Sequence, residues 1–155
     1  MTPAIELAKR AGIPFQVHQY EHDPNHPSYG EEAAQRLGVE PARVFKTLVF
    51  MLDGRHLAVA VVPVASKLDL KAAAKALGGK RAVMAEADAV ERSTGYVLGG
   101  VSPLGQKRRL ATLIDDSAKA LETLYVSAGR RGLEIELAPD DLCRLLDAAY
   151  ASLAR

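Results

Sequence analysis

The chain has 155 residues, 48% apolar and 25% charged, and a net charge of +1 with its four histidines neutral. Such a length buries well over half of the unfolded surface in one domain, so disorder is excluded and neither a metal nor a disulfide is needed as a staple. The near-neutral balance excludes a broadly basic nucleic-acid coat but allows small local clusters, here QKRR at 106–109 and GRRG at 129–132.

The first segment, TPAIELAKRAG, carries helix punctuation: Thr2 as N-cap, Pro3 in the first turn and Gly12 as the stop. It has no long apolar core and no small-residue cleavage site, so a signal peptide is not expected and the reading is cytoplasmic. PFQVHQYEHD (14–23) follows as a polar-flanked strand, and DPNHPSYG (23–30) as a loop. Ser28 and Glu31 have capping-box spacing before a short helix that Gly38 closes. RVFKTLVFML (43–52) and HLAVAVVPV (56–64) read as strands joined by Asp53-Gly54, a strong hairpin signal.

DLKAAAKALGG (69–79) is an alanine-rich helix, RAVMA (81–85) a short strand, and EADAVERSTG (86–95) a helix stopped by Gly95. GYVLGGVSPLGQ (95–106) mixes apolar residues with four glycines and a proline, so it must be a bent strand or a loop. RLATLIDDS, TLYVSAG and LEIELA read as three more strands. A final helix is expected over 140–153, burying Leu142, Leu145, Leu146, Ala149 and Leu153 at helical spacing. No stretch approaches the roughly 18 apolar residues of a membrane span. Strands outnumber helices, which predicts a single mixed α+β domain over 1–155 with a curled, largely antiparallel sheet surrounded by helices.

Several residues invite chemistry. His18, His22 and His26 are four apart, but prolines oppose a helix there, and in a strand four residues span about 13 Å, too far to share one zinc. No metal is expected. Cys143, the lone cysteine, fits a reducing compartment and sits at the edge of an apolar helical stripe with no histidine near it in sequence, so it reads as core filler rather than nucleophile.

Lys46 is different. It shares one face of its strand with Val44, Leu48, Phe50 and Leu52, while Phe45, Thr47, Val49 and Met51 take the other, and neither set looks like a solvent face. A lysine there either snorkels along an edge strand or meets an anion or carbonyl oxygen that offsets its desolvation. Thr47 is either a β-branched strand residue or a ligand contact near a twist. The stretch LGGVSPLGQ (98–106) lacks the GK[ST] ending of a phosphate loop, yet its adjacent glycines let backbone approach a ligand closely and offer bare N–H groups to an oxyanion. Ser127 and Gly129 end a strand, with no triad partner evident for Ser127.

Three segments together carry a resemblance: VFKTLVF (44–50) following YGEEAAQRLGV (29–39), GGVSPLGQK (99–107), and YVSAGRRGLEIEL (125–137). In this order and spacing they resemble the YbaK/EbsC family of aminoacyl-tRNA deacylases, related to the editing insertion domain of bacterial prolyl-tRNA synthetases. The likeness runs from about residue 4 to 153. It implies a mixed α/β fold with a strongly curved sheet. By the same likeness Lys46 is the essential pocket lysine, and Gly99 and Pro103 are the ends of a Gly-x-x-x-Pro loop containing Gly100, Val101 and Ser102. Tyr20 aligns with a pocket tyrosine, Ser127 to Gly129 with a small-residue strand end, and Glu134 with an acidic residue of some members.

The implied activity is trans-editing of mischarged Cys-tRNA(Pro), a hydrolase or lyase reaction needing no metal or cofactor. The cysteine's own thiol attacks its ester carbonyl. The implied partners are the 3′ acceptor end of an aminoacyl-tRNA and, transiently, prolyl-tRNA synthetase; a membrane is not among them. Three rivals stay open: deacylation of Ala-tRNA(Pro) by water, a non-catalytic module binding a nucleotide or a synthetase, and a zinc hydrolase built on the histidines.

Overall fold

A computed structural model describes residues 1–26 and 28–155; Pro27, part of the expected loop, lies outside the described residues. Helix α1 (Pro3–Ala11) begins where the Thr2 hydroxyl accepts from the Ile5 amide at 3.3 Å, and it ends at Gly12 in the left-handed region. The same hydroxyl donates to the Ala128 carbonyl, fastening the helix to the distant strand on which its Ala4, Ile5 and Ala8 are buried. Strand β1 (Phe15–Gln19) follows, then α2 (Tyr29–Leu37), whose Ser28 hydroxyl accepts from the Glu31 amide at 3.4 Å. The hairpin falls where expected: β2 (Phe45–Leu52) and β3 (His56–Pro63) pair antiparallel, with Asp53 and Gly54 both at positive φ in the turn. Asp53 Oδ1 also accepts from the amides of Lys80 and Arg81, so β4 (Ala82–Met84) is led onto the free edge of β2.

Helices α3 (Leu70–Ala76) and α4 (Ala87–Thr94), strands β5 (Ala111–Asp115), β6 (Leu124–Arg130) and β7 (Leu133–Leu137), helix α5 (Pro139–Leu146) and strand β8 (Ala149–Ala151) complete the chain. The class is mixed α+β, as the sequence predicts. The strands form two sheets rather than one: an antiparallel β1-β7-β6 sheet, and a five-stranded sheet ordered β4-β2-β3-β5-β8. In the second sheet β5 pairs parallel to β3 and to β8.

The last helix is shorter than its apolar spacing predicts. It stops at Leu146 because Asp147 enters the left-handed region at φ 50, and the amides of Asp147 and Ala148 turn back onto the carbonyls of Arg144 and Cys143. The residues beyond become β8; Ala149 is exposed, and Leu153 is buried in a different cluster from Leu142. Five apolar residues at helical spacing cannot reveal this, since the break is set by the backbone conformation of Asp147 and not by the pattern around it.

The β2–β3 hairpin is covered on both sides. Phe45, Val49, Val59 and Val61 join the main core with α1, β6 and β7, while Phe50, Ala58, Ala60 and Val62 pack on Ala73 of α3 and on Leu153. This explains the absence of a solvent face in β2. Asp115, buried at the end of β5, accepts from the amides of Leu153 and Ala154 at 2.8 and 2.9 Å and so ties down the C-terminal segment.

Candidate functional site

Among the described residues the backbones of the two sheets are bridged once, in parallel, from Val44 to Tyr125, after which β2 and β6 share no further ladder. On its outer edge β2 pairs with β4 only over Phe50–Leu52, so the stretch 45–48 leaves that edge open. Along β6 the pairing with β7 shifts register between Ser127 and Arg130, a bulge that bends the strand end. The result is a cavity of about 430 Å³ between the sheets, walled by residues 45–48 of β2, by Ser127 and Glu134, by Tyr20, and by the start of α2. Leu98, Gly99 and Val101 close it from above.

Lys46 lies in this wall, half-buried, with Nζ donating to the Val64 carbonyl at 3.4 Å. Burial pushes its ammonium below the ordinary lysine value, and the Glu31 carboxylate opposes the shift. Val64 is held against α2 because Gly30 has no side chain: a Cβ there would stand 2.3 Å from Val64 Cγ1. Thr47 points to the opposite face of the strand yet borders the same cavity, because the cavity runs along the strand edge. Its Oγ1 is buried with no hydrogen-bond partner among the described residues. With under 1 Å² of accessible surface, that oxygen is sealed from the cavity as well, so Thr47 lines the wall with its other atoms.

Glu134 is opposite Ser127 on one side and opposite His18 on the other, in the middle strand of the smaller sheet. It is 6% exposed, and burial raises its carboxyl from the ordinary 4.5 to about 8. Near neutral pH it is therefore mostly the neutral acid, able to donate as well as accept. Its charged form, together with burial, raises the Tyr20 phenol to about 12, burial being the larger cause.

The glycine-rich segment between α4 and β5 is a loop, and it is braced rather than loose. Tyr96 Oη donates to the Leu104 carbonyl at 2.6 Å, the Ser102 hydroxyl accepts from the Leu104 amide at 3.2 Å, and Gln106 Nε2 donates to the Ser102 carbonyl at 3.0 Å. Gly99 sits at φ +91, where a Cβ would also meet the Tyr29 ring at 3.1 Å. Gly100 is pressed onto β6 so closely that a Cβ would stand 2.6 Å from Arg130 Cα. Its amide donates to the Val97 carbonyl, whereas those of Gly99 and Val101 donate to no protein acceptor among the described residues.

Of the residues the sequence singled out, the cavity thus unites Lys46, Tyr20, Thr47, Gly99, Val101, Ser127 and Glu134. Four others stand apart from it. Gly100 is buried against β6, and Ser102 is fully buried and spends its hydroxyl on Leu104. Pro103 borders a separate cavity, and Gly129 faces Tyr96 and Thr2. These four hold the loop and strand end in shape. Sequence reasoning missed Tyr29, 46% exposed, whose ring lines the cavity while the Arg131 guanidinium lies 4.2 Å from its centroid. Arg131 in turn donates to the carbonyl of Asp23 and to Glu32 Oε1, a carboxylate with no exposure. A lone aromatic before a glycine gives no sign of this in a sequence.

The histidines go to separate partners. His18 Nε2 meets Glu136 Oε1 at 2.9 Å, His26 meets Gln35, and His22 flanks Gly132. No group of three metal-ligating side chains converges among the described residues. The Cys143 thiol donates to the Ala148 carbonyl at 3.1 Å, and burial, with the carboxylates of Asp140 and Asp147, holds it above the ordinary thiol value.

Residues 23–145 match the family model described as the aminoacyl-tRNA editing domain. A protein of Enterococcus faecalis provisionally named Cys-tRNA(Pro)/Cys-tRNA(Cys) deacylase EbsC is 36% identical over 98% of this chain and 92% of its own. The uncharacterised YwhH of Bacillus subtilis is 31% identical over 72% of this chain and 71% of its own. Among solved structures, the protein APE2540 superposes with a TM-score of 0.87 at 25% identity, covering 99% of this chain and 100% of that one. A protein provisionally described as a trans-editing enzyme for prolyl tRNA synthetase superposes with a TM-score of 0.85 at 24% identity, over 100% of this chain and 99% of that one, and shares the fold.

Proposed function

The chain belongs to the aminoacyl-tRNA editing family, in its YbaK/EbsC branch of deacylases, and on that footing we propose that it clears Cys-tRNA(Pro) by letting the misplaced cysteine cut its own ester. The observation that carries the reading is the single cavity that gathers an ammonium, a buried carboxyl and uncommitted loop amides, with no activated nucleophile among them. The protein's thiol is not among the residues lining it, and burial raises that thiol above its ordinary value.

In the proposed step the substrate Sγ attacks the ester carbonyl carbon. A C–S bond forms and the bond from that carbon to the ribose oxygen breaks. The thiol proton ends on the ribose hydroxyl, leaving a four-membered thiolactone and free tRNA. The amides of Gly99 and Val101 are the donors offered to the developing oxyanion. Lys46 supplies positive charge beside the ester or terminal ribose. Holding thiol and carbonyl together is the main contribution, and such positioning supplies roughly 7–11 kcal/mol in favourable intramolecular cases. Glu134, largely protonated near neutral pH, is suited to hydrogen bonding a polar group of the aminoacyl moiety.

A panel of tRNA(Pro) charged with cysteine, alanine, serine or S-methylcysteine tests this. Rapid loss of the cysteinyl ester with survival of the S-methyl ester is expected. Equal loss of both would replace substrate-assisted chemistry with water attack, and preference for alanine would move the activity to Ala-tRNA(Pro). Survival of all four, with prolyl-tRNA synthetase present, would leave a non-catalytic module.

A further inference from the structure

The loop that closes the cavity continues into the basic run Lys107, Arg108 and Arg109, all exposed. The run is fixed in place: the amides of Lys107 and Arg108 donate to the carbonyls of Thr94 and Ser93, each at 2.9 Å, at the buried end of α4. Two further cavities flank it. One, of about 400 Å³, is bordered by Arg10, Arg108 and Arg109, and the other, of about 620 Å³, by Arg55, His56 and the same two arginines. Glu6 is the one carboxylate among their described lining residues. None of Arg10, Arg55, Lys107, Arg108 or Arg109 forms an ion pair among the described residues. In a chain of net charge +1 this is a concentration of uncommitted cations on one face.

One short stretch of loop links that face to the reaction cavity. Val101 borders the reaction cavity and Pro103 the first of the two basic ones, and two residues of chain span at most about 7 Å. Across the loop, exposed Val97 and Leu98 lead from the cavity mouth back to Gly95, which lies against the Lys107 side chain. We infer that the ridge Lys107–Arg109, with Arg10 and Arg55 on its flanks, is a phosphodiester-binding surface that carries the acceptor arm of the tRNA whose aminoacyl end enters the cavity. The identity of the nucleic acid rests on the deacylase reading; the phosphate chemistry rests on the ridge itself. Arginine forks suit phosphate oxygens, and a fixed ridge binds them without first ordering a loop.

The test uses fluorescein-labelled, uncharged tRNA(Pro) and the full chain, with anisotropy titrations from 50 to 200 mM salt. Wild-type affinity should fall steeply with salt. In Arg108→Ala/Arg109→Ala two phosphate contacts are lost, so the fall across that range should shrink by about tenfold, with binding weaker at every salt concentration. Arg108→Lys/Arg109→Lys should keep most of the salt dependence, which a purely structural role would not predict. Equal affinity and slope in the alanine variant would overturn the inference, as would the lysine variant failing as badly as the alanine one. Unchanged tRNA binding with a loss of synthetase-dependent deacylation would make the ridge a protein-docking face instead. Deacylation of a cysteinyl-adenosine ester, which has no phosphates, should be equal in wild type and variant. If wild type binds tRNA through the ridge but cleaves no ester, the deacylase reading fails and the surface stands.

Discussion

Replacing Glu134 by glutamine isolates the buried carboxyl of the cavity. In the folded chain it ionises at about 8 against an ordinary 4.5, with burial as the cause. Between those values the folded state holds a proton that the unfolded state has released, so stability falls as pH rises, by about 1.4 kcal/mol per pH unit at most. Below 4.5 both states are protonated at this residue, and above about 8 both are ionised, so the contribution of Glu134 is flat at each end. The full window corresponds to a ceiling of roughly 5 kcal/mol, which water entering the cavity reduces. Glu134→Gln should remove this contribution: the variant should gain on wild type steadily from pH 5 to 8 and hold a constant lead above that. Urea denaturation midpoints at pH 5, 6, 7, 8 and 9, with unchanged m-values, measure it. Parallel curves for the two proteins would refute the buried, unpaired carboxyl.

Gly100→Ala must move the loop away from the β6 backbone, since its Cβ would stand 2.6 Å from Arg130 Cα. A lower melting temperature, equivalent to about 1–3 kcal/mol, is expected together with a lower kcat for deacylation. Arg131→Ala strips the fully buried Glu32 of its cation and Tyr29 of its support, and should cost about 3–5 kcal/mol. Adding Glu32→Ala should recover part of that loss, and strict additivity in the double-mutant cycle would contradict the coupling. Cys143→Ser should leave deacylation unchanged, and the wild-type thiol should react with iodoacetamide at pH 8 more slowly than free cysteine.

The architecture was legible wherever the signal is local. Gly12, Gly38 and Gly95 each stop a helix in the left-handed conformation, and Asp53-Gly54 turns the hairpin. The ambiguous face of β2 was also visible, because both of its sides are covered. What could not be read is set by tertiary geometry. The division into two sheets depends on one bridge at Val44, the truncation of α5 on the backbone of Asp147, and the wall made by Tyr29 on an arginine 102 positions away. Within the Gly-x-x-x-Pro segment, a sequence cannot separate Gly99 and Val101, which border the cavity, from Gly100, Ser102 and Pro103, which shape the loop from behind. Nor does GRRG reveal that Arg131 is committed to Glu32 while Arg130 is exposed.

The most direct measurement is the rate of Cys-tRNA(Pro) deacylation by Lys46→Ala beside its thermal melt. The side chain is half-buried and makes one long hydrogen bond, to the Val64 carbonyl, so its loss should shift the melt by only a few degrees. Deacylation should fall by at least about a hundredfold in this still-folded variant, the scale of losing one charge-stabilising group. Wild-type deacylation by Lys46→Ala would contradict it.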